Sequence, residues 1–156
     1  MTPHGIVTRS VMADAGECAA ILREEDRREL EEIGGVPAID SLKRGVLLGS
    51  PSLTLRTHTG DMVALMSVVP FGSRLGFIAL SGTRLLEENR TAFLRGSRDV
   101  LAHLDTKFDT LCNVCDARNE VHIKWLKWLG FTFIRRIETY GAHGVPVYEF
   151  ARIRNV

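Results

Sequence analysis

The sequence predicts a single α/β domain, α+β in layout: a mixed, mostly antiparallel sheet with a central parallel pair and helices on both faces. Three observations predict it. One strand-like stretch is followed by three helical segments. Three strand-like stretches then succeed one another across tight turns. A helix, a strand, a second helix and a two-strand hairpin close the chain. A strand–helix–strand step in the middle of this order demands a parallel pair joined by a right-handed crossover. The chain of 156 residues, 45% hydrophobic and 25% charged, suits one domain spanning 1–156. A domain of that length buries roughly two thirds of its unfolded surface.

Taken in order, Ile6 to Val11 reads as a short strand. Asp14 with Glu17 three residues later is capping-box-like, and Cys18, Ile21 and Leu22 then share a helical face. Asp26 and Glu29 repeat that pattern ahead of Leu30 and Ile33, and Gly34-Gly35 supplies a stop. The mixed signs from Arg23 to Glu32 read as a solvated, ion-paired face. Pro37 suits the first turn of a third helix carrying Ile39, Leu42 and Val46.

Leu53 to His58 alternates, Thr59-Gly60-Asp61 is a turn, and Met62 to Val69 is apolar on both faces. Pro70 to Ser73 turns the chain into a strand over Leu75 to Leu80, which makes an antiparallel meander. Thr83 to Leu104 reads as one helix with Leu86, Phe93, Ser97, Val100, Leu101 and Leu104 on one side. Gly96 inside it costs about 1 kcal/mol relative to alanine. Thr110 to Cys115 is a strand, and Asn119 to Leu129 a helix ended by Gly130. Phe131 to Thr139 and Val145 to Ile153 form the hairpin.

Composition narrows the function classes. Twenty basic and nineteen acidic residues give a net charge of +1, with no electrostatic footprint for nucleic acid or an anionic membrane. Three cysteines, Cys18, Cys112 and Cys115, argue for a reducing compartment at synthesis. Met1 to Ser10 holds no apolar core of a signal peptide, and the run Met62 to Val69 is far short of the ~20 residues that span a bilayer. A soluble protein made in the cytosol is the expectation.

Val114 to Phe133, VCDARNEVHIKWLKWLGFTF, resembles the last conserved block of the GNAT superfamily of N-acetyltransferases: a strand, an asparagine opening a helix, and a Leu-Gly-Phe ending. Asn119, Ile123, Gly130 and Phe131 fall at the family's spacing, and the element order matches over nearly the whole chain. Within the superfamily the chain is similar to a small group encoded by short-tailed bacteriophages, one of whose members is an internal virion protein. Asp116-Ala-Arg-Asn119, His122-Ile-Lys-Trp-Leu, Ala92-Phe93-Leu94, Ser97-Arg98 and Arg23-x-x-Asp26-x-x-Glu29 carry that likeness.

The resemblance implies a V-shaped gap between the parallel central strands, an acetyl-CoA pyrophosphate held by a glycine-rich turn after the fourth strand, and an asparagine, here Asn119, touching the pantetheine. The family's Arg/Gln-x-x-Gly-x-Gly/Ala signature is missing: the stretch Ser81 to Leu94 has no glycine after Gly82, and Glu87-Glu88 would repel phosphate. The family's acid tyrosine position is Leu126, and Met62 to Leu80 contains no Glu or His that could act as a base. No catalytic residue is therefore assigned. The expectation is a virion-associated or assembly protein of a phage, found in the virion and in host cytoplasm during synthesis, with no cofactor. The alternative is an acetyl-CoA-dependent N-acetyltransferase in which backbone amides after Leu80 replace the missing cradle.

Other conspicuous residues have plain readings. Cys112-x-x-Cys115 lies on a strand, where residues three apart point to opposite faces, so no metal site is expected. His122 reads as a partly exposed structural histidine, and Asp116 as a cap for the following helix. Arg118, Lys124 and Lys127 read as solvated charges. Two tryptophans three apart cannot easily both be buried, so the helix of Trp125 and Trp128, or the open sheet edges, would meet other virion proteins or a second copy.

Overall fold

The computed structural model describes residues 4–154. Strand β1 (Ile6–Arg9) is followed by helices α1 (Met12–Ala20), α2 (Glu24–Gly34) and α3 (Ala38–Leu48). The meander is β2 (Ser52–Arg56), β3 (Met62–Phe71) and β4 (Leu75–Gly82). Helix α4 (Arg90–Leu104), strand β5 (Thr110–Asp116), helix α5 (Glu120–Trp128) and the hairpin β6 (Thr132–Tyr140) and β7 (Val145–Ile153) complete the chain. One seven-stranded sheet runs in the order β1-β2-β3-β4-β5-β7-β6. Its single parallel pair is β4 with β5, and the crossover through α4 makes that pairing possible.

Two apolar clusters hold the layers together. Ala15, Cys18 and Leu22, with Ala38 and Leu42 of α3, pack on Met62 and Leu65 of β3. On the other cluster Phe93, Val100, Leu101 and Leu104 of α4 and Trp125 and Leu126 of α5 cover Ala64, Met66, Val68, Ile78 and Phe150. Strand β3 is buried from Met62 through Val68, which is why its sequence does not alternate. Each large side chain removed from water here contributes about 1.5–3 kcal/mol. Gly35 ends α2 in the left-handed conformation (φ 74°), as its sequence position anticipates.

Several boundaries differ from the sequence reading. Strand β1 stops at Arg9, and α1 starts two residues before Asp14. Asp14 is therefore not the N-cap; its carboxylate accepts the Val11 N–H from inside the first turn. Helix α2 starts at Glu24, so Asp26 also lies within its helix rather than ahead of it. Helix α4 begins at Arg90, seven residues after Thr83. The Thr83 N–H donates to the Val63 carbonyl, its hydroxyl to the Met62 carbonyl at 2.7 Å, and the Arg84 N–H to the Ile21 carbonyl. Those bonds extend the edge of β4, and helix geometry cannot start until the chain has turned through 84–89. Once started, α4 runs unbroken through Gly96.

Candidate functional site

Strands β4 and β5 pair at three positions only, Leu75 with Thr110, Gly76 with Leu111 and Phe77 with Cys112. Both strands continue past that seam, to Gly82 and Asp116, without a shared ladder. Just beyond the last pair the Asn113 side chain donates to the Ile78 carbonyl at 2.9 Å and fills the start of the split. Farther out the strands' backbone donors need other partners, because an unpaired buried N–H is costly. Helix α2 supplies them. Asp26 Oδ2 accepts the Gly82 N–H at 2.9 Å, and Glu29 Oε1 accepts the Asp116 N–H at 2.7 Å.

These two carboxylates sit in a buried network. Asp26 also accepts from Arg23 at 3.2 Å and from the Asn119 amide at 2.7 Å. Glu29 faces the His122 Nδ1 at 3.1 Å. A carboxylate can only accept here, so Nδ1 carries the hydrogen and the neutral ring keeps its lone pair on Nε2. That Nε2 is buried with no hydrogen-bond partner among the described residues. Burial opposes a charge on His122, but the Glu29 carboxylate and its hydrogen bond outweigh burial and hold the imidazole above its usual pKa. Asp116 shows the opposite balance. Burial pushes its pKa up, yet the Arg118 guanidinium and N–H bound to it hold the carboxyl below its ordinary value. Arg118 in turn reaches Glu32 of α2.

One hollow adjoins the network, and a second lies along the other side of α5. A cavity of about 160 Å³ is bounded by α2, by Ile78 to Ser81 of β4, by Asn113 and Val114 of β5, and by His122 and Phe150. A groove of about 280 Å³ lies between the start of α4 and α5, with Arg90, Lys124 and Glu87 at its polar edge and Phe93, Trp125 and Trp128 as its apolar wall. The Trp125 indole N–H is buried in that wall without a partner among the described residues.

Asp26, Glu29 and His122 present ligand atoms within 4.8 Å of one another. Their chemistry is that of an ion-paired network rather than a metal centre. Both Asp26 oxygens are already taken, and Arg23 supplies the countercharge at 3.2 Å.

The sequence-named residues fall in varied places. Asn119 is fully buried and caps α5, its Oδ1 accepting the His122 N–H at 3.3 Å while its amide binds Asp26. Asp116 binds Arg118 and does not cap α5 itself. Trp125 is a core residue at 5% exposure, stacked edge-on against Phe93, so of the two tryptophans only Trp128 is accessible; Arg98 covers it at 3.6 Å. Cys115 is buried and Cys112 half-buried, both as free thiols. His122 is not partly exposed but buried, and Arg23, Asp26 and Glu29 are not a solvated face but the buried side of α2. Glu29 and His122 are the pair that sequence reasoning missed. Their i,i+3 companions Asp26 and Asn119 were the available signal. Most of the amides from Gly82 to Arg90 are engaged. Those of Gly82, Thr83, Arg84, Leu85, Leu86, Asn89 and Arg90 all bond within the protein.

No protein-family model and no curated protein matches the chain. Solved structures do. An acetyltransferase of the GNAT family from Bacillus anthracis superposes with a TM-score of 0.71 at 10% identity, covering 94% of this chain and 93% of that one. RimL, a ribosomal L7/L12 alpha-N-protein acetyltransferase in complex with coenzyme A, gives 0.70 at 10% identity over 94% and 92%. A phosphinothricin acetyltransferase from Sinorhizobium meliloti in complex with AcCoA gives 0.69 at 16% identity over 96% and 88%. The seven-stranded sheet with its one parallel pair is thus the mixed α/β fold of GNAT acetyltransferases.

Proposed function

We propose that this chain is an acyl-CoA-dependent N-acyltransferase that holds its acyl donor with side-chain cations in place of a glycine cradle. The observation that carries this reading is the groove between the start of α4 and α5. It is apolar along Phe93, Trp125 and Trp128, and it keeps one buried indole N–H unpaired in its wall. Arg90 and Lys124 at its edge make no ion pair among the described residues, which leaves both for phosphate. Glu87 opposes them, and the two cations outnumber it. Neighbours of the same fold bind coenzyme A or AcCoA, which supports a thioester donor here. When bound, that donor would supply an activated acyl carbon; the chain's own residues would position it and shield it from water.

Calorimetric titration with acetyl-CoA tests the reading. Micromolar binding with loss of affinity in Arg90→Glu is the expected result. No binding up to millimolar concentration defeats it.

A second reading, a non-catalytic protein carried in a phage particle, is supported by the glycine-free turn 84–90, most of whose amides bond within the protein. Strand β6, an edge with Ile134 56% exposed, and the accessible Trp128 would then meet other virion proteins or a second copy. Finding the protein in purified virions would support that reading; assembly that proceeds normally without it would defeat it.

A further inference from the structure

We infer that the hollow enclosed by β1, β2 and the first half of α4 binds a small neutral aromatic molecule, and that its occupant acts on the α4–α5 groove through Phe93. The site stands on its own geometry; only its effect on the groove rests on the acyltransferase reading above.

The hollow measures about 120 Å³ and is walled by Ile6 and Val7 of β1, Leu55 of β2, Val63 of β3, and Ala92 and Phe93 of α4. A cavity of about 150 Å³ with walls of this kind takes up benzene. Gly96, one turn past Ala92, lines the hollow too. A glycine inside a helix costs stability relative to alanine, so its presence calls for a reason. Packing does not supply one. Gly96 has no left-handed backbone, and an added Cβ would meet only the His4 Cβ at 3.8 Å, an ordinary contact. His4 is itself part of the lining, so a side chain at position 96 would enter the open space beside it. Glycine leaves the hollow its full width.

The lining also selects the guest. Arg56 is the lining residue that is always charged, and its guanidinium is taken by Glu17 at 2.7 and 3.0 Å and by Asp14 at 3.1 Å. A guest with a carboxylate would face those acids without a free guanidinium to offset them. A flat aromatic ring suits the apolar walls and can meet Phe93 edge-on. Asn89 offers a polar anchor at the same hollow: its amide nitrogen donates to the Leu85 carbonyl at 2.9 Å, which leaves the amide oxygen to accept a guest's hydroxyl. Phenol combines both features.

Phe93 carries the effect. The same side chain walls the α4–α5 groove, where its ring stands edge-on to Trp125 with centroids 4.3 Å apart. Close-packed interiors transmit displacement rather than absorb it. A guest that presses Phe93 toward Trp125 changes the shape of the groove, and the affinities of the two sites are then linked reciprocally.

The experiment titrates phenol into the full chain, followed by amide NMR shifts, with benzoate as the anionic control. Saturable binding with a Kd near or below about 1 mM is expected, and benzoate should bind about tenfold more weakly or not at all. The largest shifts should fall at Ala92, Phe93 and Gly96. Gly96→Ala should raise the thermal unfolding midpoint by about 2–4 °C while weakening phenol about tenfold, so lost binding cannot be mistaken for lost folding. Saturating phenol should change the acetyl-CoA Kd about fivefold or more, and acetyl-CoA should change the phenol Kd by the same factor. No phenol binding to the wild type, equal binding by Gly96→Ala, or shifts centred on Val121 and Lys124 instead overturn the site. Benzoate binding as tightly as phenol overturns the ligand class. An acetyl-CoA Kd that phenol leaves unchanged overturns the coupling. If acetyl-CoA does not bind at all, the acyltransferase reading falls and the coupling with it, while phenol binding at Gly96 still upholds the site.

Discussion

Asp26 and Asn119, 93 positions apart in the chain, meet at 2.7 Å where the split between β4 and β5 is closed by α2. The same carboxylate holds the Gly82 N–H and the Arg23 guanidinium, so one residue ties a helix, a strand end and a helix cap together.

Asp26→Ala would strand all three donors at once and leave the buried Arg23 with Glu25, at 3.4 Å and half-exposed, as its remaining counter-ion. Breaking one partner of such a pair costs about 3–5 kcal/mol. Urea unfolding should show a loss of that size. Asp26→Asn, which preserves shape, should lose less, because the amide oxygen can still accept one of these bonds.

Arg90 and Lys124 should behave differently, being exposed and without an ion pair among the described residues. Lys124→Ala and Arg90→Ala should leave the unfolding midpoint in place while each weakens acetyl-CoA binding about 10- to 150-fold, the worth of one charge-assisted contact of roughly 1.5–3 kcal/mol. Raising the salt should weaken wild-type binding in the same direction.

Stability should depend on pH at both ends. The folded-state pKa of His122 is raised, so its contribution is complete below the unfolded value of about 6.5 and is lost as the pH rises through the folded value. Asp116 has the opposite sign. Its folded pKa is depressed, so its contribution is present above the unfolded value of about 3.9 and is lost as the pH falls through the folded value. Unfolding free energy measured across pH 2–9 should therefore peak between about 4 and 6.5. His122→Gln should flatten the alkaline side alone.

Gly141 should tolerate no side chain. It sits in the β6–β7 turn at φ 74°, and an added Cβ would lie 2.7 Å from the Ile33 carbonyl oxygen. The neighbouring Ala142 and His143 N–H groups cap the end of α2 through the Ile33 and Glu32 carbonyls. Gly141→Ala should cost about 1–3 kcal/mol in backbone strain and lost caps, visible by thermal unfolding.

The sequence made the fold legible because the fold is written in local signals. The turns at Thr59-Gly60-Asp61 and around Gly72, the αL glycine at Gly35 and the strand–helix–strand step each act over a few residues. The site was less legible because its contacts are not local. Arg23, Asp26 and Glu29 look like a solvated helix face when read alone, since mixed signs at helical spacing usually are one. What buries them is a pair of unpaired N–H groups at Gly82 and Asp116, 56 and 87 positions away. His122 was misread for the same reason: its partner lies 93 positions upstream. The start of α4 was missed because Leu86 continues an apolar spacing that belongs to the turn, where it packs under Gly82 instead.

The short seam between β4 and β5 also governs how the cleft moves. With three residue pairs joining the two halves of the sheet, the width of the gap is set by α2, which spans it like a strut bolted at Gly82 and Asp116. A guest that forced the walls apart would have to break two carboxylate-to-amide bonds at once. Entry by wedging is thus closed off, and the opening should keep one gauge, admitting slender molecules end-on and turning broad ones away.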